Sequence, residues 1–483
     1  VAAPAALHGG KAIGGKGRRR MLPSMVLVAV PISARDPAAL AAVAARAKAA
    51  GADLVEVRLD TCIGLGADPR LLLASMPALA LPVILTIRHA SEGGEWSGSD
   101  EERMALFGEA VGFAPAYLDV ELAHWPRFLA AGFSREALSS KLILSYHDFE
   151  GPGDDLPGKV AAMRAAGAHV AKVAIRPRDA ADLALIAELY EQSDGPLIAL
   201  AMGEHGLPSR LLAGVWGAHL TFARLTDDGG SAPGQPTVDE LLGLYRLRQQ
   251  GPRTRIFGVI GSPIAQSLSP LIHNVAFAHL KIDAVYVPFR VEDAAAFWRA
   301  CGAWLNGLSI TIPHKQALIG LMAGVEDLAA RIGAINTVYR DRDLRPIGAN
   351  TDALAVTACL VDQLGSLYGR RVLVLGAGGV SRAIAYAARE GGAAVTIANR
   401  SLERARELAG ELGCEAVELD KAYGLPFDVL VNGSAAGMGQ PEETPWPASA
   451  HREGTVVFDT VYHPLETRLL KDAQLAKAHT ICG

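Results

Sequence analysis

GAHVAKVAIRP, residues 167–177, sets a single lysine, Lys172, in the middle of a valine, alanine and isoleucine run. A strand covered on both faces reads as such a near-continuous apolar stretch, whereas a half-exposed strand alternates. Alternation along the strand places Lys172 on the same side as Val170 and Ala174. Two readings of its ammonium are open. It snorkels to solvent or pairs with Glu56, or burial disfavours the charged form and leaves an amine that attacks a ketone or aldehyde.

Seven further runs of the same kind surround it: VLVAV 26–30, LVEVR 54–58, VILTI 83–87, AYLDV 116–120, LILSY 142–146, LIALA 197–201 and AHLTF 218–222. Between them lie stretches such as DPAALAAVAARAKAAGA, residues 36–52, whose alanine and leucine spacing suits a helix packed on a sheet. Eight strand–helix units in roughly 220 residues predict an α/β fold that begins with a closed (β/α)₈ barrel. The rival is an open doubly wound sheet, but VPISARDP, residues 30–37, lacks the glycine-rich first turn usual there.

At 483 residues the chain exceeds what one hydrophobic core holds, so two or three domains are expected. Half the residues are apolar and the formal net charge is −5, without the basic excess of a nucleic-acid binder. Cys62, Cys301, Cys359, Cys414 and Cys482 show no zinc-ligand or disulfide spacing, so no metal is expected and a reducing compartment fits. No run reaches the about 18 uninterrupted apolar residues of a membrane span. Residues 1–22 are basic and acid-free, which suits a disordered leader or the end of an organelle-targeting segment. The expected location is cytoplasmic, with the plastid as the alternative.

In such a barrel, side chains at the strand C-termini face the reaction site. Polar residues fall there on several strands: Glu56, Arg58 and Asp60, then Arg88 and Glu92, Asp119 and Glu121, His147 and Asp148, and Lys172. His147, just past the fifth strand, suits a lysine that forms an imine, because carbinolamine formation and the adjacent carbon both need a proton carrier. A phosphate or metal ligand is its other reading. EVRLD 56–60, IRHASEGG 87–94, LSYHDF 144–149, AKVAI 171–175, MGEHGLPSR 202–210 and SAPGQ 231–235 resemble the type I 3-dehydroquinate dehydratases. The resemblance implies Lys172 as the imine-forming residue, His147 as proton carrier with Glu92, and substrate contacts from Glu56, Arg58, Arg88, Arg210, Ser231 and Gln235. It also implies syn loss of water from 3-dehydroquinate.

After a stop at Gly251-Pro252 a second pattern begins. Ser267 and Ser269 precede Pro270 and a helical run, so a hydroxyl there caps the helix or binds a ligand oxygen. NGLSITIPHKQAL, residues 306–318, predicts a strand and then a helix with Lys315 at its start, where the dipole gives a cation no favourable contact. GAINT 333–337 and GANTDA 348–353 read as turn chemistry or as a small-molecule cleft. RRVLVLGAGGVSRAIAYAARE, residues 370–390, gives a strand, the turn Gly376-Ala377-Gly378-Gly379-Val380, and a helix, which together predict a Rossmann nucleotide site. The next strand ends in Asn399, Arg400 and Ser401, with Arg404 one turn on. Arginines suit an adenosine 2′-phosphate, so the expected cofactor is NADP; a solvated basic strand end is the other reading.

Residues 255–483 resemble the shikimate dehydrogenases through GSPIAQSLSPLIHN, TIPHK, GAINT, GANTDA, GAGGVSRA, NRS, NGSAAGM and DTVYHPLETRLL. The resemblance implies Lys315 and Asp352 as the pair that manages the substrate proton, and Ser267, Ser269, Thr311, Asn336 and Tyr462 as substrate contacts. Members continue past the equivalent of Gly483 into a further helix, so the chain as given is expected to lack it. The expected domains are a leader 1–22, a barrel 23–249, a substrate domain 250–347 and a Rossmann domain 348–483. The expected function is dehydration of 3-dehydroquinate followed by NADPH-dependent reduction. Its alternatives are a second half of mixed quinate and shikimate use, or one that only binds nucleotide. The expected partners are small carboxylated cyclic substrates, with neither nucleic acid nor membrane, in a monomer or homodimer.

Overall fold

The computed structural model describes residues 25–134, 138–225 and 234–483. The leader and Ser231 lie outside the described residues. The chain divides into two compact units, one reaching to Val259 and including Ser267–Leu305, the other formed by Ile260–Gln266 and Asn306–Gly483.

The first unit opens with β1 (Leu27–Ile32), β2 (Leu54–Arg58), β3 (Val83–Thr86), β4 (Tyr117–Glu121), β5 (Lys141–Asp148), β6 (Val170–Ile175), β7 (Leu197–Ala201) and β8 (Leu220–Phe222). They form one eight-stranded sheet in the order β7-β6-β5-β4-β3-β2-β1-β8. Neighbouring strands run parallel, as in β5 against β6 and β1 against β8. The His219 N–H donates to the Leu197 carbonyl at 2.9 Å and brings the last strand back to β7. This is the predicted barrel rather than the open sheet. Strand β5 runs further than expected, so His147 lies on the strand itself, in register with Ala174 of β6.

The side-chain period of two explains the interior. Leu54, Ile84, Tyr117, Ile143, Val170, Ile198 and Leu220 pack as an apolar floor. Two residues further along, five adjoining strands turn polar with Glu56, Thr86, Asp119, Ser145 and Lys172, all buried. Strands β7 and β8 keep Leu200 and Phe222 at this level. Burying each aliphatic floor side chain contributes about 1.5–3 kcal/mol, which offsets the desolvation of the layer above. The unit continues through the first five residues of β9 (Arg255–Gly261), the helix Ser269–His279, β10 (Ala284–Arg290) and the helix Ala294–Cys301. Buried Asn274 clips the first of these helices to β10, donating to the Tyr286 carbonyl at 2.7 Å and accepting its N–H at 2.9 Å.

The second unit holds β11 (Leu305–Ile310), β12 (Gly324–Val325), β13 (Thr337–Arg340) and β14 (Pro346–Ala349). Strand β13 is antiparallel to β11 and to β14, and β12 runs parallel to β14. A parallel sheet follows: β15 (Arg371–Leu375), β16 (Ala394–Asn399), β17 (Glu415–Glu418), β18 (Val429–Asn432), β19 (Val456–Asp459) and β20 (His479–Cys482), ordered β17-β16-β15-β18-β19-β20. Alternate residues of β15 serve the two faces, Val372 and Val374 in one apolar cluster, Leu373 and Leu375 in the other. The order reverses between β15 and β18, where open α/β sheets bind ligands.

The helix expected after Pro313 does not form. His314 and Ala317 donate to Thr311 and His314 in successive turns, and the Lys315 carbonyl is drawn out of any helical ladder by the Ile335 N–H at 2.7 Å. At the serine pair, Leu268 rather than a serine stands at the N-cap, with no side-chain cap bond, and Ser267 Oγ accepts the Ser269 N–H at 3.3 Å.

Candidate active sites

The polar layer of the barrel is a chain of paired charges. Lys172 donates to Asp119 at 2.7 Å, with Glu56 at 3.6 Å and the Phe222 ring 4.7 Å from its nitrogen. Its neighbours in sequence are apolar, but β2 and β4 supply carboxylates from across the barrel, Glu56 as one reading of the sequence allowed and Asp119 in addition. Asp119 also accepts from Arg88 and from Ser145 Oγ, each at 2.7 Å. Burial pushes its carboxyl up, but Arg88 and Lys172 outweigh this and hold it far below the usual carboxylate range. Arg88 reaches Glu121 at 3.1 Å and Ser145 at 2.7 Å as well, so its fork is engaged within the protein. Glu121 is held from its other side by Arg103, which also donates to the Ile87 carbonyl at 2.9 Å. Glu56 accepts from Thr86 at 2.9 Å.

Next to this layer, Glu92 takes two donors from one residue, the His147 N–H at 3.0 Å and its ring Nδ1–H at 2.9 Å. Burial raises the Glu92 carboxyl to about 7. Burial, with Arg88 and Lys172 nearby, drives the His147 imidazole well below its ordinary value. A neutral imidazole with Nδ1 fixed by a carboxylate leaves Nε2 with a lone pair, the form that accepts protons. Arg58 is forked onto Asp60 at 2.7 and 3.0 Å. Arg210 is buried, and one nitrogen donates to the Ala201 carbonyl at 2.5 Å; among the described residues it has no carboxylate partner and its Nε has no partner. Burial lowers it to about 10, and a bound carboxylate would restore the pairing it lacks. Gln235 is buried, and its carbonyl accepts from Arg224 at 2.9 Å.

In the second unit Lys315 and Asp352 meet at 2.5 Å, the lysine buried and the acid less so. Asn336 donates to Asp352 at 2.7 Å and to Thr351 at 2.8 Å, and accepts the Thr351 N–H at 3.0 Å. The two Asn-Thr elements thus brace each other, and Asp352 opens the helix Asp352–Leu364. Thr311 lies just past β11 and donates its N–H to Ile260 at 3.0 Å. Tyr462 is 38% exposed.

The turn Gly376–Val380 leads from β15 into the helix Gly379–Glu390. Among the described residues no side chain caps that helix, and none lies within 4 Å of a Cβ built on its N-cap Gly378. A Cβ on Gly379 would lie 2.8 Å from the Lys315 Cβ, so glycine lets the lysine pack against the turn. Asn399 donates to the Ser401 carbonyl at 3.0 Å, and Ser401 caps the next helix through the Arg404 N–H at 3.4 Å. Arg400 and Arg404 are exposed. Free amide donors at a helix start beside two solvent-facing guanidiniums fit a dinucleotide with an added phosphate.

The sequence placed Asp119 and Glu121 at the reaction site without a role, and gave no place there to Ser145 or Arg103. Alternation from His147 points to Ser145; Arg103 arrives from the helix Asp100–Val111 with no local signal. Among the described residues no group of three or more His, Cys, Asp or Glu is placed to hold a metal, and no helix is long and apolar enough to cross a membrane.

The fold and these sites define a two-part α/β enzyme, a nearly closed eight-stranded barrel and a Rossmann-type module in one chain. Residues 28–252 match the type I 3-dehydroquinase family, 259–338 the shikimate dehydrogenase substrate binding domain, and 359–435 the shikimate/quinate 5-dehydrogenase family. The chain is 37% identical over 481 residues to the chloroplastic bifunctional 3-dehydroquinate dehydratase/shikimate dehydrogenase of Arabidopsis thaliana, covering 95% of this chain and 79% of that one. It is 41% identical over 233 residues to an NADP(+) shikimate dehydrogenase of Halobacterium salinarum, covering 47% of this chain and 87% of that one. The Thermus thermophilus shikimate 5-dehydrogenase solved with NADP(H) and shikimate is 36% identical, with a TM-score of 0.42 over 47% of this chain and 87% of that one. The chain belongs to the bifunctional 3-dehydroquinate dehydratase/shikimate dehydrogenase family. It is a lyase and an NADP-dependent oxidoreductase that act on small cyclic acids.

Proposed function

We infer that residues 23–249 carry the dehydratase, 250–347 the substrate domain of the reductase and 348–483 its NADP domain. The observation that carries the dehydratase assignment is the juxtaposition of Lys172 on β6 with the Glu92-held His147 on β5. The Lys172 amine adds to the ketone of 3-dehydroquinate, and loss of water from the carbinolamine gives an imine. Its protonated nitrogen draws electrons from the neighbouring C–H, and neutral His147 takes that proton. The same histidine returns the proton to the departing hydroxyl, which leaves as water, and hydrolysis frees Lys172 and 3-dehydroshikimate. Asp119 faces the lysine nitrogen throughout and matches its positive charge. Arg210 receives the substrate carboxylate, with Glu56, Arg58, Gln235 and Ser231 as further contacts. Arg88 acts by fixing Asp119.

In the second unit Lys315 and Asp352 hold and move the proton of the reacting oxygen, Asn336 orients Asp352, and Thr311 and Tyr462 contact substrate. Gly376–Val380 and the start of the following helix would hold the pyrophosphate, and Asn399, Arg400, Ser401 and Arg404 the 2′-phosphate. NADPH, when bound, supplies the hydride that reduces the ketone. The free cysteines suit a reducing compartment, cytoplasm or plastid, and the chain works as a monomer or homodimer. The test is one assay on the whole chain. Supplied with 3-dehydroquinate and NADPH it should form shikimate with loss of NADPH absorbance. Enone absorbance without NADPH loss would confine activity to the barrel.

A further inference from the structure

The rim of the dehydratase site is braced by a corner of the chain that lies outside the barrel sequence. Strand β10 ends at Arg290 and is followed by Val291, Glu292 and Asp293 before the helix Ala294–Cys301. This corner belongs to the same compact unit as the barrel. It touches the segments that follow β6 and β7, the strands leading to Lys172 and to Arg210.

After β6, the Asp179 carboxylate accepts the Glu292 N–H at 3.1 Å and the Asp293 N–H at 3.0 Å, besides its neighbour Ala180 at 2.6 Å. After β7, the helix Gly203–Leu211 begins with Glu204 and His205. Glu204 accepts from the Arg290 guanidinium at 2.5 Å, and His205 Nδ1 donates to the Arg290 carbonyl at 3.0 Å. That ring nitrogen also lies 3.7 Å from Asp179, so the two rim segments meet at the corner.

The braced turn has two consequences for the site. The helix it starts carries Arg210, and Ser209 locks the turn by donating to Gly206 at 2.7 Å and accepting the Ala201 N–H at 2.9 Å. The first turn also forms the seat for the segment that presents Gln235. Gly234, at φ +75°, is so close that a Cβ there would lie 2.6 Å from the Gly203 carbonyl oxygen. A shift of the Glu204–His205 turn therefore displaces both Arg210 and Gln235, whereas Lys172 and His147 rest on the barrel strands themselves.

We propose that Asp179, Glu204 and Arg290 are positioning residues for dehydroquinate binding, and that the second half of the chain, through the Arg290–Asp293 corner, sets the affinity of the dehydratase. The inference rests on the dehydratase assignment above. The corner acts on Arg210 and Gln235, so weakening it should raise KM and leave kcat within about twofold, because only substrate-holding contacts move.

The test uses the full chain and steady-state dehydratase kinetics of Asp179→Ala, Asp179→Asn, Glu204→Arg, Arg290→Glu and the double variant Glu204→Arg/Arg290→Glu. Asp179→Ala should raise KM about tenfold, the scale of lost charge-assisted hydrogen bonds. Asp179→Asn, which keeps an acceptor oxygen, should raise it less. Glu204→Arg should raise KM about three- to fivefold, as suits a half-exposed pair, and the double variant should recover most of that. Borohydride trapping at Lys172 should persist at saturating substrate in all of them. An unmoved KM in folded Asp179→Ala and Glu204→Arg overturns the proposal. So does a proportional loss of kcat that the double variant does not rescue. A wild-type chain without dehydratase turnover would instead defeat the underlying assignment.

Discussion

The two sites differ most in what their charges face. In the barrel, Glu56, Arg88, Asp119, Glu121, Arg103 and Lys172 are buried and bonded to one another. In the second unit, Lys315 and Asp352 form a compact pair next to a glycine turn that leaves open space, and Arg400 and Arg404 face solvent. A site that makes a covalent bond with its own lysine needs its dipoles and charges fixed beforehand, because they cannot reorganise cheaply during the reaction. A site that receives its reacting group from a cofactor must instead leave donors unsatisfied for it.

Replacing Lys172 by Met tests this contrast with the largest effect. Dehydration should fall by at least about 10⁴-fold, as when a covalent nucleophile is lost. Reduction of supplied 3-dehydroshikimate should stay within twofold. Asp119 keeps Arg88 and Ser145, so the lost bond should lower stability by only about 1–3 kcal/mol, read as a shift in the denaturant midpoint. Reduction falling together with dehydration would break the separation of the two sites.

Lys315→Met and Asp352→Asn should show the converse, a loss of about 10²–10⁴-fold in reduction, with dehydration unchanged and NADPH binding by fluorescence retained. Reduction at the wild-type rate would remove the pair from the chemistry.

These outcomes also separate what was legible in the sequence from what was not. The barrel strands could be read because a short β-branched apolar run is a strictly local pattern, and alternation grouped Lys172 with Val170 and Ala174 without saying which side faces the barrel interior. Its partner was not legible, since Asp119 lies 53 positions away on β4 and only the barrel's closure brings the two together. Arg88 shows the same limit. An arginine at a strand end looks free for a ligand, yet Asp119, Glu121 and Ser145 already take its donors. The helix expected at Lys315 failed because a distant residue, Ile335, claims the carbonyl that a helix would have used. The glycine turn and the Arg400 strand end were legible because each depends on a few consecutive residues.

Two smaller effects sharpen the comparison. Glu92 titrates near 7 because burial penalises its carboxylate, and only the ionised form fixes His147 as a base. Dehydratase kcat/KM should therefore rise with pH through about 7. Glu92→Gln should remove that limb and lower the plateau about 10- to 100-fold; a variant that keeps the limb would assign it to another group. At the solvent-facing end, Arg400→Ala and Arg404→Ala should each raise KM for NADPH about three- to tenfold, the range of an exposed charge-assisted contact, and leave KM for NADH unchanged. Equal effects on both cofactors would mean that these arginines do not read the extra phosphate.

Lys172, buried and paired with Asp119, should become covalently joined to substrate during dehydration. Incubation of the full chain with 3-dehydroquinate and borohydride, followed by peptide mass spectrometry, tests it most directly. One irreversible adduct should form, on the peptide containing Lys172, absent from Lys172→Met and still formed by His147→Ala. An adduct on any other lysine, or continued dehydration with no trappable adduct, would contradict it.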